Sequence, residues 1–255
     1  MTNHPSIKSL YPLALAEAEG VGTAYEYFAK RLVLRPWLSG RSIRRILIAG
    51  LPEKYGSSLD FLLLAVELNV YDPLIVDERP AALEKNRKSL AAAQKAGELK
   101  QLQPTYQLMN DMGQLYGSVG PQDLCISSEV LQRLPAPGRR GYIESISRVA
   151  ASIALFAPNA DNGHHTSISG LSGLHRDEMQ ELAKTAGVPK EVGYIDMPPF
   201  PPGITRSSDQ RSQASSGFME GFAMWGLGVY AHAEHFFPSG WRRTQSHIVY
   251  ALVDR

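Results

Sequence analysis

The chain has 255 residues, of which 44% are hydrophobic and 20% are charged, a composition typical of a globular protein with one large domain or two small ones. Its formal net charge is +1 and its basic residues are scattered, so the sequence lacks the basic patch expected of a nucleic-acid-binding protein. The single cysteine, Cys125, can form no internal disulfide, and the N-terminus does not resemble a signal peptide, so we expect a cytoplasmic protein.

The first 40 residues are predicted to form a helical cap ahead of the main domain. Apolar residues recur at helical spacing between Ile7 and Leu38, with Gly20 and Gly22 inside this range. Aromatic residues at such spacing, including Tyr25, either pack in the core or face a substrate.

A strand, a helix and a second strand are predicted between Ile46 and Asp77. The run Ile46–Ala49 has the length of a strand buried on both faces of a parallel sheet, and Gly50 marks a sharp turn after it. Asp77 ends the second strand, where an acid can accept both hydroxyls of an adenosine ribose. It can equally cap the following helix, which has Pro80 in its first turn.

The remaining sequence alternates between helical and strand patterns. We expect helices over 81–96, 142–149 and 176–186, and strands near 106–109, 124–126, 151–156, 193–196 and 247–253. This alternation indicates a doubly wound α/β sheet, mostly parallel.

A polar stretch over 204–216 is predicted to be a mobile loop, and the aromatic segment 218–237 is predicted to be a helix. Its longest charge-free run, 221–231, is too short to span a bilayer, so we expect no integral membrane segment. Three roles are open for this helix: it packs on the sheet, covers the active site, or forms the surface of a homodimer.

Four segments resemble the class I S-adenosylmethionine-dependent methyltransferases of the small-molecule type. They read LIVDERPAALEKNRKSL, QLMNDM, DLCISSEVLQRLP, and FAPNADNGHH followed by LHRDEMQELAKTAGV. The resemblance implies a Rossmann-like, seven-stranded sheet with an antiparallel last strand, in a domain over 41–255 with a helical insertion around 204–237. It also implies S-adenosylmethionine as cofactor and methyl transfer to an oxygen, nitrogen or carbon of a small, apolar or aromatic acceptor.

The same resemblance implies which residues hold the cofactor. They lie at the strand ends and in the opening loop: Gly50, Glu53, Gly56, Asp77, Glu78, Asp111, Met112 and Ser127.

The opening loop departs from the family pattern. Ile48 stands where the family has an acid, and Gly50 alone aligns with the glycine-rich turn. Glu53 either binds the cofactor's ammonium group in place of the missing acid or is a solvated loop residue, and Gly56 is expected to resume the role of a missing glycine. A noncatalytic binding or assembly protein that has lost the cofactor is therefore the alternative function.

Histidines on the loop after the fifth strand are the first candidates for a catalytic base. His164 and His165 would lie at the ligand edge of the sheet, where a neutral imidazole can remove an acceptor proton, or they are surface residues. Glu129, just after the fourth strand, is the next candidate, although an acid there also suits the first turn of a helix. We expect no metal site, because the histidines of HAEH, His232 and His235, are three residues apart rather than four.

Overall fold

The structure is a computed structural model that describes residues 6–199 and 218–255. The strands are β1 Ile46–Ala49, β2 Leu74–Asp77, β3 Thr105–Leu108, β4 Gln122–Ser128, β5 Ala150–Pro158, β6 Val188–Ile195 and β7 Ile248–Asp254. The helices are α1 Ile7–Ala16, α2 Val21–Leu38, α3 Leu59–Glu67, α4 Pro80–Lys95, α5 Ala136–Val149, α6 Gly163–Ser169, α7 Arg176–Ala186, α8 Phe218–Ala233 and α9 Ser239–Gln245. The loop predicted over 204–216 lies outside the described residues.

The seven strands form one sheet in the order β3-β2-β1-β4-β5-β7-β6. Strands β1 to β5 are parallel, and β7 runs antiparallel between β5 and β6. The predicted Rossmann-like fold with an antiparallel last strand is therefore confirmed. Strand order reverses between β1 and β4, and ligands of such sheets bind beyond the carboxyl ends of the strands at this position.

Helices cover both faces of the sheet. One apolar core joins α1, α2, α3, α4 and α8 to one face, and a second core joins α5 and α7 to the other. All four residues of β1 are buried, as expected for a central strand covered on both sides. Near the carboxyl edge, Phe61, Phe156 and Tyr250 stack in a row, with ring centroids 5.9 and 6.2 Å apart.

Helix α5 is longer than the predicted helix over 142–149, because it begins at Ala136. Between β4 and α5, Leu131–Arg133 form a single 3₁₀ turn. Pro135 separates this turn from α5, because a proline disfavours a helical conformation for the residue before it, and Leu134 has a ψ of 139°.

Glu17 fastens the N-terminal helices to the loop after β1. Its carboxylate accepts hydrogen bonds from the Ser57 backbone N–H at 2.9 Å, the Ser57 hydroxyl at 2.7 Å, the Leu59 N–H at 3.0 Å and the Tyr27 hydroxyl. Helices α1 and α2 are thus fixed over the end of β1. The division of the chain into a cap over 1–40 and a domain over 41–255 stays a prediction.

Helix α8 packs against α1 and α2 through buried Met224 and Ala231. On its other side, Trp225 and Val229 are 65% and 53% exposed among the described residues. The roles of cover and homodimer surface stay predictions. Among the described residues, no helix combines the length and apolar character needed to cross a bilayer.

A substitution at Gly50 tests how tightly the end of β1 is packed. Its φ is +87°, and an added Cβ would lie 2.1 Å from Val130 Cγ2, so Gly50→Ala should lower the free energy of unfolding by about 3 kcal/mol. Gly117 is the matched control, because it has a similar φ of +94° with nothing within 4 Å of an added Cβ. Gly117→Ala should cost about 1 kcal/mol in urea denaturation. Equal losses for the two variants would contradict the packing described for Gly50.

Candidate active site

Asp77 lies at the carboxyl end of β2, fully buried, and both of its oxygens accept hydrogen bonds. Oδ1 accepts from the Arg79 N–H at 2.8 Å and from Arg79 Nε at 2.9 Å, whereas Oδ2 accepts from the Leu51 N–H at 2.8 Å and from Arg79 Nη2 at 2.9 Å. Burial opposes ionisation of this carboxylate, but its hydrogen bonds to Arg79 and Leu51 hold its pKa below the ordinary value. Asp77 is therefore an ionised carboxylate already paired with a guanidinium.

Arg133 lies beside Gly50 and Asp77 with an unsatisfied guanidinium. Its side chain is only 9% exposed, Nη2 is 3.7 Å from Asp77 Oδ2, and Nη1 is 4.0 Å from Glu78 Oε1. Within the described part of the chain, none of its three side-chain nitrogens has a hydrogen-bond partner. Buried donors without partners are costly, so this guanidinium suits an anionic ligand group beside the Gly50 turn.

The other predicted cofactor residues are spread along the same edge. Glu53 is exposed and its N–H donates to Glu129 Oε2 at 3.1 Å, and the N–H of Gly56 donates to Glu19 Oε1 at 3.1 Å. Asp111 is exposed and accepts from the Gly113 N–H at 2.8 Å. Met112 is buried in the core, and the Ser127 hydroxyl bonds the Tyr142 hydroxyl at 2.8 Å. Their roles in cofactor binding stay predictions.

The residues at this edge fit S-adenosylmethionine on one condition. The orphaned guanidinium of Arg133 matches the cofactor's carboxylate, and Asp77 stands where a ribose would be bound. The condition is that Arg79, which is 29% exposed, leaves Asp77. Each carboxylate oxygen then keeps one backbone N–H and has a lone pair free for one ribose hydroxyl.

A second group, the histidine pair, lies further along the edge. The rings of His165 and His247 stack with centroids 4.2 Å apart, and His247 Nδ1 is 3.1 Å from Asp196 Oδ2. His165 Nδ1 is buried and has no hydrogen-bond partner among the described residues. Asn162 caps α6 by accepting from the His165 N–H at 3.0 Å, which fixes this ring at the sheet edge.

The two imidazoles have opposite proton affinities. Burial and the charge of neighbouring His247 lower the pKa of His165 to about 4. Burial alone would lower the pKa of His247 as well, but the charge and hydrogen bond of Asp196 raise it above the ordinary value. His165 is therefore a neutral imidazole at physiological pH, with an unpartnered nitrogen that can accept a proton.

The remaining catalytic candidates differ in exposure. His164 is exposed on α6 and is not part of the stacked pair. Glu129 directly follows β4 with a left-handed φ of +56°, and burial raises its pKa to about 7. Its carboxylate is partly exposed and accepts the Glu53 N–H. The structure thus separates His165 and Glu129, which lie at the sheet edge in perturbed environments, from His164.

Sequence reasoning did not assign a role to Arg79, Arg133, Asp196 or His247. The proximity of Asp196 and His247 could have been predicted. Asp196 follows β6 and His247 precedes β7, and the antiparallel pairing of these strands brings both residues to the same edge of the sheet. For Arg79 and Arg133 the spacing carries no signal. Over residues 6–199 and 218–255, no group of three His, Cys, Asp or Glu side chains could hold a metal ion.

Comparison with solved structures identifies methyltransferases of the same fold. The methyltransferase domain of bacterial CtHen1 has a TM-score of 0.53 at 11% identity, over 92% of this chain and 100% of that domain. An S-adenosylmethionine-dependent methyltransferase from Clostridium acetobutylicum ATCC 824 has a TM-score of 0.52 at 7% identity, over 90% of this chain and 91% of that one.

A third neighbour is the small RNA methyltransferase HEN1, with a TM-score of 0.57 at 13% identity, over 91% of this chain and 25% of that protein. At such identities the likeness establishes the class I methyltransferase fold. No protein-family model and no curated protein matches the sequence.

The histidine pair predicts a distinctive proton titration. By NMR, His247 should titrate above its ordinary pKa of 6.5, whereas His165 should stay neutral down to a pKa of about 4. Asp196→Asn should lower the pKa of His247, because it removes the carboxylate that stabilises the imidazolium. The NMR signal that disappears in His165→Gln belongs to His165. A His165 that titrates above pH 6.5 would contradict the arrangement.

Proposed function

We propose that this protein transfers a methyl group from S-adenosylmethionine to a small acceptor. The observation that carries the proposal is the neutral imidazole of His165, whose unpartnered Nδ1 lies at the carboxyl edge of a class I methyltransferase fold. Positioning contributes most of the rate in such a transfer, and a base is needed where the acceptor carries a proton.

The cofactor supplies an electrophilic methyl group when it is bound. For this chain we propose that Arg133 binds its carboxylate, that Asp77 accepts the two ribose hydroxyls once Arg79 has moved, and that Gly50 forms the turn beneath it. His165 Nδ1 accepts a hydrogen bond from the acceptor and so orients the acceptor's lone pair. His247 and Asp196 orient this ring and keep it neutral, because a charged His247 stacked on His165 opposes a second positive charge.

We propose an apolar or aromatic acceptor because aromatic side chains lie near the carboxyl edge of the sheet. The stacked rings of Phe61, Phe156 and Tyr250 lie on the α2 side of the sheet near its carboxyl edge. One structural neighbour is a small RNA methyltransferase, but the net charge of +1 and the scattered basic residues of this chain favour a small molecule.

One observation favours the second candidate, a noncatalytic binding or assembly protein. Asp77 is already bonded to Arg79, which also donates from Nη2 to the Leu51 carbonyl at 2.7 Å. If Arg79 never leaves, the ribose position stays closed and the fold serves a purpose other than methyl transfer.

Removing Arg79 separates the two candidates. Calorimetry should detect S-adenosylmethionine binding to the wild-type protein, and Arg79→Ala should bind it about tenfold more tightly, because the ribose no longer competes with the guanidinium for Asp77. Arg140→Ala, which removes a 73%-exposed arginine on α5, should leave the dissociation constant unchanged. If neither the wild-type protein nor Arg79→Ala binds the cofactor or S-adenosylhomocysteine, the noncatalytic candidate stands and methyl transfer is excluded.

A further inference from the structure

Four carboxylates lie around Lys30, a buried residue of α2. We name them the acidic cluster: Glu26 on α2, Asp60 on α3, Glu129 after β4 and Asp196 after β6. Asp60 and Asp196 are 1% and 4% exposed, whereas Glu26 and Glu129 are partly exposed and form the side of the cluster that faces solvent. All four lie close enough to Lys30 for its charge to act on the cluster.

The basic side chains near the acidic cluster form ion pairs with only two of its four carboxylates. Lys30 Nζ pairs with Glu26 at 2.5 Å, and His247 pairs with Asp196 at 3.1 Å. Arg31 donates to the backbone carbonyl of Asp60 and not to its carboxylate. The ion pair of Arg31 is with Glu67, with 3.8 Å between Arg31 Nε and Glu67 Oε1. Asp60 and Glu129 therefore make no ion pair within 4.0 Å in the described part of the chain.

Buried acceptors beside the cluster lack donors. Over the described residues, Asp60 Oδ1 and Asp196 Oδ1 have no hydrogen-bond partner, and neither has Oε1 of Gln132, an uncharged side chain that is 7% exposed. Gln132 is held against the cluster because its Nε2 donates to the Glu129 carbonyl at 2.8 Å. These three atoms are acceptors, so a partner that satisfies them must be a hydrogen-bond donor, whereas nearby Arg31 Nε is a buried donor that also has no partner among the described residues.

Aromatic rings form the adjoining wall. Lys30 Nζ lies 5.0 Å from the Phe61 ring centroid and 5.7 Å from that of Phe156, so this wall already accommodates an ammonium group. Unpaired carboxylates, orphan acceptors and ring faces together match a cationic nitrogen attached to an apolar body.

We propose that the acceptor is an amine, whose protonated nitrogen binds between Glu129 and Asp60 against the Phe61–Phe156 wall. This proposal rests on the methyl transfer proposed above. The ammonium gives one proton to the Glu129 carboxylate, beside which it binds, and becomes a neutral amine. Its lone pair then forms the new N–C bond as the S–C bond of S-adenosylmethionine breaks, and the electrons of that bond stay on sulfur. The product is an N-methylammonium ion, so charge and atoms balance.

The proposal predicts a specific pH dependence of binding. Burial raises the pKa of Glu129 to about 7 and that of Asp60 to about 6. Glu26 and Glu53 also raise the pKa of Glu129, and Lys30 lowers it. Between pH 6 and pH 8 these carboxylates ionise while a simple amine stays protonated, so the amine should bind more tightly at pH 8.

The test is calorimetry with 2-phenylethylamine and its uncharged analogue 2-phenylethanol at pH 6 and pH 8. The wild-type protein should bind the amine about tenfold more tightly at pH 8 than at pH 6, and the alcohol at least tenfold more weakly than the amine at pH 8. Glu129→Gln should weaken amine binding about tenfold and flatten its pH dependence. Glu84→Gln, which removes an exposed carboxylate on α4, is the matched control and should bind as the wild-type protein does.

Equal binding of amine and alcohol to the wild-type protein, or amine binding that does not strengthen with pH, would overturn the inference, and neither result depends on a variant folding. Titration of the same samples with S-adenosylmethionine separates the two proposals. Cofactor binding without amine binding contradicts the amine site and leaves methyl transfer standing. Amine binding without cofactor binding supports the amine site and contradicts methyl transfer.

Discussion

The buried carboxylate of Asp77 is the constraint on which the ligand edge of this sheet depends. A fully buried, ionised group must have partners, and Asp77 takes them from two directions: the Leu51 N–H from the loop after β1, and Arg79 from the start of α4. Its bonds therefore tie that loop to β2. Gly50, packed against Val130, completes the same junction. The loop after β1 is thus held in place by the ion pair between Asp77 and Arg79.

The N-terminal helices place charged side chains at the other side of this edge. Glu17 fixes α1 and α2 to the loop at Ser57, and α2 then places Glu26 and Lys30 above the strand ends. The carboxyl edge of the sheet therefore carries groups of opposite charge: Arg133, whose guanidinium has no hydrogen-bond partner among the described residues, lies beside β1, and carboxylates without such partners lie near α2. An anionic cofactor group on one side and a cationic acceptor on the other are the ligands that this division of charge favours.

The fold was predictable because its strands are apolar runs between turn residues, and their alternation with helices admits few topologies. The first turns of α5, over 136–141, were missed because Pro137, Gly138 and Gly141 obscure the helical pattern there. The position of Asp77 at the end of β2 was predictable. Its pairing with Arg79 was not, because the spacing of residues in a sequence does not determine a side-chain rotamer. Likewise His247 meets Asp196 only because β6 and β7 pair, although the two residues are 51 positions apart.

Direct detection of methyl transfer is the measurement that tests this account most closely. Wild-type protein incubated with S-adenosylmethionine carrying a trideuterated methyl group and a set of arylalkylamines should yield products about 17 Da heavier by mass spectrometry, with the label on nitrogen. Glu129→Gln should lower the rate about a hundredfold, because it removes the carboxylate that accepts the ammonium's proton, whereas Glu84→Gln, which removes an exposed carboxylate on α4, should not. Cofactor binding with no transfer to any amine, or transfer at an unchanged rate by Glu129→Gln, would contradict the account.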